Sequence, residues 1–481
     1  MKKYLFYILS LACFSSCSKV LEEKPQSIAA ELFYNTPAEI EAGLNAIYTP
    51  VRGTDVYGAF YEVQLEIYTE YMYGRGSHGP LNDYVGLDNT NITRIASMWS
   101  SFYRAIRNAN IVIGRAPLAT GVTEPQLSRY LGEARYLRAL WYYQMVRNWA
   151  GVPLRTETNM DSINVPRASV TQVYDLILSD LLFAETNLAE TPRLVGAPSR
   201  WAAKTALTDV YLSLGMYPEA RTKSLEVINS NRFRLVEVAI AADFEKLFGT
   251  AANNTLEEIF YLKYSATLTG QSFFYPLYAH YPNSGFYPPG GFYTLYSDSQ
   301  QNPFMRDWDR NDLRYQFNYY PRTFGLGNTT ILSKKFSDLT AVVGAGNDFP
   351  IYRYADLLMM YAEADARVNG GVTADGLEKL NMVHRRAYGQ PSTVASAVDL
   401  VLTDYPTLDA FITRLVKERA YENVDEGKHW LDLKRLGIAK QTILAVKGKT
   451  VQDKHLLWPI PTTEYNYNKA INPATDQNPG Y

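Results

Sequence analysis

Residues 199–230 read SRWAAKTALTDVYLSLGMYPEARTKSLEVINS, and this segment carries the clearest pattern of paired helices in the chain. It opens with Ser199, a residue type that caps helix N-termini, and apolar residues then recur at helical spacing as far as Gly215. Pro218 marks a second start, because proline is favoured in the first turn of a helix. The stretch therefore predicts a helical hairpin with a glycine turn.

The same pattern recurs later in the chain. A second hairpin is predicted over about 353–388, with Gly370-Gly371 as its turn, and a third pair of helices over 407–425 and 428–445. These hairpins resemble tetratricopeptide units, which bury their apolar faces only by stacking on one another. The sequence thus predicts a mostly α-helical protein. Its scaffold is formed by tetratricopeptide-like helical hairpins over about 95–230 and 350–445.

A loop-rich insertion is expected between the two helical regions, over about 235–350. Residues 260–320 contain 19 aromatic residues among 61, whereas aromatic residues make up 14% of the whole chain. An earlier loop, from Tyr71 to Tyr84, is similar in character. Loops that are carried on a rigid scaffold are common sites of recognition. We therefore expect the variable, aromatic-rich loops to form the ligand-binding region.

The N-terminus has the features of an export signal. Lys2-Lys3 precedes a short apolar run over residues 4–12, and small residues lead to Cys17. This pattern is typical of a bacterial lipobox, so residues 1–16 are predicted to be a lipoprotein signal peptide and Cys17 the lipidated residue, with palmitate among its acyl chains. Residues 17–37 would form the tether and residues 38–481 the body. The alternative is an ordinary signal peptide with an incidental cysteine.

Composition excludes several classes of protein. The 481 residues carry a formal net charge of −2, which removes the long-range attraction of a basic surface for nucleic acid. The only cysteines are Cys13 and Cys17, so the body can hold neither a disulfide framework nor a cysteine-ligated metal. The five histidines show no metal-binding spacing, and no nucleotide-binding motif occurs. We expect no metal and no cofactor.

The best argument for an enzyme is a pair of carboxylates, Asp356 and Glu363, seven residues apart in one predicted helix. Glycoside hydrolases use two such groups. However, Arg353 and Arg367 lie at helical spacing from these acids, so ion pairs are the simpler interpretation. A buried network of ion pairs is likewise expected around Glu418-Arg419, Glu422 and Glu426, with arginine partners at 385, 386 or 435. We therefore expect no catalysis.

The aromatic loops provide a stronger case for binding. Sugar rings present apolar C–H faces edged by hydroxyl groups, which suit aromatic side chains beside polar ones. The candidate ligand-binding residues are Tyr73, Arg75, His78 and Tyr84 in the first loop and Phe286, Tyr287, Tyr293, Tyr296 and Trp308 in the second. The alternative is that these rings pack on one another as the core of the loops.

Short motifs occur in a fixed order along the chain. They are EARYLRAL at 133–140, GVPL at 151–154, RYADLL at 353–358 with YAEA at 361–364, NMVHRRA at 381–387, ER at 418–419 with EGKHWLDLKR at 426–435, and PIP at 459–461 ahead of QNPGY at 477–481. Together, behind a lipobox, they resemble the SusD/RagB family of outer-membrane lipoproteins of Bacteroidota. His384 stands where the family pattern has an arginine.

This resemblance implies a helical body that sits on a TonB-dependent outer-membrane transporter of the SusC type and acts as its lid. It also implies binding of oligosaccharides without cleavage, at the cell surface, on a protein held to the outer membrane by its lipid. The matching motifs are mostly scaffold, so they transfer no ligand-contacting residue. Two other classes stay open: a peptide-binding or protein-scaffolding repeat lipoprotein, and a hydrolase.

Overall fold

Helices make up most of the chain. The computed structural model describes residues 33–268 and 270–481, so the predicted signal peptide and Cys17 lie outside the described residues. The described helices are α1 Pro37–Arg52, α2 Phe60–Ile67, α3 Gly79–Asn82, α4 Asn89–Arg115, α5 Glu124–Trp149, α6 Val170–Asn187, α7 Arg200–Ser213, α8 Tyr217–Asn229, α9 Glu245–Phe248, α10 Tyr275–Ala279, α11 Pro303–Arg306, α12 Leu313–Asn318, α13 Tyr354–Asn369, α14 Ala374–Ala387, α15 Leu408–Glu422, α16 His429–Arg435, α17 Ala439–Lys447, α18 Thr462–Tyr467 and α19 Pro473–Asp476.

The helical hairpin predicted over residues 199–230 is confirmed. The backbone N–H of Ala202 donates to Ser199 Oγ at 3.3 Å, which caps α7, and Gly215 turns the chain with φ +71°. α7 packs against α8, and α8 packs in turn against α13, the first helix of the second predicted hairpin. The two hairpins therefore stack, although more than a hundred residues separate them in the sequence. The fold is mostly α, with a tetratricopeptide-like scaffold.

The third predicted helix pair differs from expectation. α15 occupies the first position, but the second is divided into α16 and α17 by Gly437, whose φ of +72° is left-handed. The apolar pattern continues across this break, because both short helices face the same core, and for that reason periodicity did not reveal it. No helix within the described residues is both long enough and apolar enough to cross a bilayer.

Two small antiparallel sheets lie among the helices. The first has the order β1-β3-β5-β4 and the second pairs β2 with β6. The strands are β1 Tyr73–Gly74, β2 Glu258–Leu262, β3 Leu295–Asp298, β4 Tyr319–Pro321, β5 Thr330–Ser333 and β6 Phe349–Arg353. β2 leads into residues 263–348 and β6 leads out of them, so both ends of this segment meet in one two-stranded sheet.

Buried ion pairs hold the segment between β2 and β6 on the helical scaffold. Arg353, at the end of β6, is fully buried and its guanidinium contacts Glu257, Glu422 and Glu426 at 2.7–3.1 Å. Arg314 on α12 reaches Glu418 at 3.0 Å. Charges removed from water in this way require partners on every side. A buried network therefore exists around Glu418, Glu422 and Glu426 and connects the loops to α15. Of the predicted arginine partners, Arg386 contacts Glu422, whereas Arg385 pairs with Glu378 and Asp399, and Arg435 pairs with Glu363 and Asp432.

The carboxylates that made the case for an enzyme are engaged in ion pairs. Asp356 Oδ2 accepts from the backbone N–H of Arg353 at 2.8 Å and from Lys428 Nζ at 2.6 Å. Arg435 forms a bidentate ion pair with Glu363, in which Nη1 and Nη2 each lie 2.7 Å from a carboxylate oxygen. This contact keeps the pKa of the buried Glu363 carboxyl below its usual value. Both acids serve the packing of α13 against its neighbours.

Candidate functional site

The ladder between β1 and β3 brings the two predicted loops together. Tyr73 lies opposite Tyr296 in this antiparallel pair, and their rings stack with centroids 5.7 Å apart. The ladder continues beyond the strands, because the backbone N–H of Arg75 donates to the carbonyl of Thr294 at 3.0 Å. Residues more than two hundred positions apart in the chain thus share one surface.

Arg75 fixes the loop that it faces. Its Nε donates to the carbonyl oxygen of Tyr293 at 2.9 Å, and Nη2 donates to that of Phe292 at 3.2 Å. Tyr293 has a φ of +41°, a left-handed backbone that a bulky residue rarely adopts. Such conformations persist where surrounding contacts hold them, and they cluster at functional sites. The guanidinium of Arg75 supplies those contacts here.

Two arginines and two tyrosines form a layered arrangement, which we call the arginine–tyrosine stack: Arg75, Tyr293, Tyr281 and Arg322. The guanidinium carbon of Arg75 lies 3.6 Å from the ring centre of Tyr293, and that of Arg322 lies 4.2 Å from the ring centre of Tyr281. The two rings are 4.5 Å apart, centre to centre. The stack is exposed at both arginine ends.

Phe324 joins the stack to Tyr296. Its ring meets Tyr293 edge-on at 5.3 Å and Tyr296 edge-on at 5.5 Å. It lies in the turn between β4 and β5, in which Gly325 and Gly327 both have positive φ. Because β5 pairs with β3, this turn is brought beside the β1–β3 ladder. Together with Tyr73, Tyr296 and Phe324, the stack forms what we call the aromatic surface.

Phe292 is the most open ring beside this surface. Its side chain is 54% exposed, whereas the rings of Tyr73, Tyr293, Tyr296 and Phe324 are all partly covered. One edge of Phe292 rests against Tyr278 at 5.6 Å. An exposed phenylalanine in a segment fixed by backbone hydrogen bonds gives a flat apolar face to the solvent.

Four of the predicted ligand-binding residues lie below the surface instead. Trp308 is 1% exposed, stacks on Tyr421 at 4.0 Å and donates its indole N–H to Asp312 at 2.9 Å. The other three are also buried. The hydroxyl of Tyr287 donates to the carbonyl of Val343, and that of Tyr84 donates to the carbonyl of Tyr68. His78 packs between the rings of Phe60 and Tyr278. Burial lowers the pKa of His78 to about 3. These four correspond to the alternative left open by the sequence, in which large rings pack on one another.

Phe286 lies apart from the aromatic surface. It packs against Tyr320 at 4.8 Å, and the amino group of Lys334 lies 5.4 Å from its ring centre. Phe286 and Lys334, together with Glu245 and Phe317, line an open cavity of about 610 Å³. The structure therefore brings together Tyr73, Arg75, Tyr293 and Tyr296 and separates Phe286 from them.

Sequence reasoning missed four members of the region, namely Tyr281, Phe292, Arg322 and Phe324. A signal for two of them was present, since residues 322–328 read RTFGLGN, in which glycines flank an aromatic residue next to an arginine. The pairing of β3 with β5, which carries this turn to the site, is not visible in the order of the residues.

Comparison with known proteins agrees with this architecture. The profile of a SusD-like family described as starch-binding and associating with outer membrane matches residues 19–212, and that of the SusD family matches residues 271–481. The chain belongs to the SusD/RagB family.

Relatives and solved structures extend the likeness over almost the whole chain. SusD-like protein P38 of Formosa agariphila is 28% identical, covering 98% of this chain and 97% of its own length. A SusD homolog from Bacteroides thetaiotaomicron has the same fold, with a TM-score of 0.82 at 20% identity over 96% of this chain and 100% of the other. A laminarin-binding SusD-like protein has a TM-score of 0.75 at 23% identity over 93% and 100%.

Proposed function

We propose that this protein binds oligosaccharides at the aromatic surface and at Phe292, without cleaving them. The observation that carries the proposal is the convergence of half-exposed aromatic rings from two distant loops on one rigid face. Support comes from the family description and from the laminarin-binding structure of the same fold. Aromatic faces beside unpaired hydroxyl groups suit sugar rings, which present apolar faces and polar edges.

Not every ring of the aromatic surface has a face free for a sugar. Both faces of Tyr293 and Tyr281 are covered within the stack, so the rings available for stacking are Phe292, Tyr296 and Phe324. Stacking of a nucleic-acid base on an aromatic side chain contributes about 1–3 kcal/mol, and we take this as the scale for a sugar ring. After the cost of ordering the ligand, affinities between about 1 µM and 1 mM are expected, which would allow release after capture.

A binding screen tests this proposal. The full chain is titrated by calorimetry with a panel of neutral and acidic oligosaccharides, and Phe292→Ala and Tyr296→Ala are compared with the parent. We expect each variant to lose about tenfold in affinity for the ligand found, as the loss of one stacking contact predicts. Tyr467→Ala is the matched control, because this tyrosine is 76% exposed and lies on α18, outside the surface. Absence of glycan binding together with tight peptide binding would refute the proposal in favour of a peptide-binding lipoprotein.

The same proposal places the protein at the cell surface, held in the outer membrane by lipid on Cys17, where it would pass its ligand to a SusC-like TonB-dependent transporter and close over it as a lid. The lipobox and the family support this part. Metabolic labelling with a palmitate analogue should mark the wild-type chain and not Cys17→Ala. An affinity-tagged wild-type chain should retain the transporter after detergent extraction. A labelled Cys17→Ala chain, or a tagged chain without a barrel partner, would contradict the assignment.

A further inference from the structure

We propose that the oligosaccharide bound at the aromatic surface is acidic, and that its carboxylate or sulfate groups are bound by Arg322 and Arg75. The inference rests on the proposed function and specifies its class of ligand. It starts from the arginine–tyrosine stack, in which a guanidinium lies at each end of a pair of tyrosine rings.

The stack leaves little aromatic face for a sugar. Arg75 and Tyr281 both lie too close to the ring of Tyr293 to share one of its faces, and the same holds for Arg322 and Tyr293 on the ring of Tyr281. Each tyrosine is thus covered on both sides by protein. A ligand that reaches the stack meets the edges of the rings and the outer sides of the two guanidinium groups.

The groups that face the solvent there can all donate hydrogen bonds. Arg322 makes no side-chain hydrogen bond and no ion pair with any described residue, although it is exposed and stacked. Arg75 uses Nε and Nη2 on backbone carbonyls, which leaves Nη1 without a partner among the described residues. Within the same part of the chain, the hydroxyls of Tyr281, Tyr293 and Tyr296 donate no hydrogen bond. A site rich in donors fits a ligand rich in acceptors.

The charge around the stack is not balanced by nearby acids. Asp83 acts electrostatically on Tyr296, but its carboxylate is paired with Lys449 at 3.0 Å. Asp298, near Tyr73, is buried and accepts backbone N–H groups of Gln300 and Gln301 at 2.9 and 2.8 Å. The two arginines therefore contribute uncompensated positive charge to the surface.

Stacking prepares these arginines for an anion. A guanidinium held against a ring has lost part of its freedom before the ligand arrives, and its planar array of N–H groups matches carboxylate and sulfate oxygens. Because the two guanidiniums are at opposite ends of the stack, one small anion does not bridge them. A chain that carries an acidic group on repeated sugars can engage both, and this requirement favours an oligomer over a monosaccharide.

The experiment compares acidic oligosaccharides with their neutral counterparts by calorimetry on the full chain. Oligogalacturonate and oligoalginate are paired with their carboxyl-reduced forms, and carrageenan oligosaccharides with their desulfated forms. In at least one pair we expect the acidic member to bind at least about tenfold more tightly. The pair that shows this preference distinguishes carboxylate from sulfate. Raising the ionic strength should weaken binding of the acidic member and leave that of the neutral member unchanged.

Arg322→Gln is the decisive variant, because the side chain makes no hydrogen bond or ion pair with described residues and contacts the protein by stacking on Tyr281. It should remove most of the preference for the acidic member, whereas Arg322→Lys should keep part of it. Arg129→Gln is the control, since Arg129 on α5 is exposed and forms no hydrogen bond or ion pair with described residues. Unchanged melting temperatures and circular dichroism verify that the variants fold.

The outcomes separate this inference from the proposed function. Equal binding of acidic and neutral members, or an Arg322→Gln chain that keeps the full preference, overturns the inference while glycan binding stands. If no oligosaccharide of either kind binds, the proposed function fails, and the acidic ligand fails with it.

Discussion

At the scale of single residues, burial divides the aromatic side chains into two groups with different tasks. Trp308 is covered and its N–H is satisfied by Asp312, whereas Tyr296 and Phe292 retain exposed area. Both groups derive from the same aromatic-rich stretch. Composition alone does not distinguish a ring that supports a loop from one that contacts a ligand.

Trp308→Phe tests this division. The smaller ring leaves a gap against Tyr421 and deprives Asp312 of a donor, so we expect the free energy of unfolding to fall by about 1–3 kcal/mol. Urea denaturation measures this change. Affinity for the glycan should stay within about twofold of the parent, because the ring is not part of the surface. A large loss of affinity without a loss of stability would show that Trp308 contacts ligand after all.

The candidate site was predictable in part. Aromatic residues beside polar ones in the loops were predicted to bind ligand. The structure brings four of these residues together, namely Tyr73, Arg75, Tyr293 and Tyr296. Tyr84 and Tyr287 satisfy the same rule and are buried. What decides between these outcomes is which loop covers which, and that depends on pairing between strands such as β3 and β5, whose partners are far apart in the sequence.

At the scale of elements, the aromatic surface depends on a close approach of backbone segments. A side chain at Gly291 would place its Cβ 1.7 Å from the carbonyl oxygen of His280. Just beyond, the backbone N–H of Tyr293 donates to that same oxygen at 3.0 Å, and the N–H of Thr294 donates to the carbonyl of Tyr278 at 2.8 Å. These contacts keep residues 278–281 beside residues 291–294, and thereby Tyr281 beside Tyr293.

Gly291→Ala should therefore separate these segments. The clash is with backbone, which cannot rotate away, and overpacking of this kind costs about 1–3 kcal/mol. We expect at least about a tenfold loss of glycan affinity, with only a small change in the melting of the helical scaffold. Gly371→Ala, in the turn of the second hairpin, is the control, because nothing lies within 4 Å of its added Cβ. Unchanged binding by Gly291→Ala would show that the close approach is dispensable.

The helices were largely predictable from the sequence. Ser169 caps α6 as its spacing to Gln172 predicts, with side chain to backbone distances of 2.9 and 3.2 Å in the two directions. Helix signals are local, and so the hairpins could be located from residues a few positions apart. The short strands carry little pattern of their own, and none was predicted.

At the scale of the whole molecule, the buried ion pairs should make stability depend on pH. The arginines around them lower the pKa of Glu422 and of Asp432 to about 2, below the values of about 3.9 to 4.3 expected in an unfolded chain. Acids with a lowered pKa in the folded state stabilise it above the unfolded pKa. That contribution is lost as the pH falls through the folded pKa.

We therefore expect the free energy of unfolding to decrease between about pH 5 and pH 2, with Glu422 contributing about 3 kcal/mol of the difference. Urea denaturation at several pH values measures the slope. Glu422→Gln should start from a lower stability, because it leaves Arg353 and Arg386 short of a partner, and should show a shallower slope. A variant slope as steep as that of the parent would exclude Glu422 as a source of the acid sensitivity.

The pairing of β2 with β6 has a consequence for how such proteins diversify. The chain enters residues 263–348 from β2 and leaves them through β6, and Glu258 and Arg353 are register partners in this ladder. The segment between these two positions is joined to the rest of the chain through this one ladder, and it also pairs with β1 through β3. A segment grafted between these two positions should change the ligand preference, provided that it keeps a strand for β1 to pair with and brings the basic residues that contact Glu418, Glu422 and Glu426.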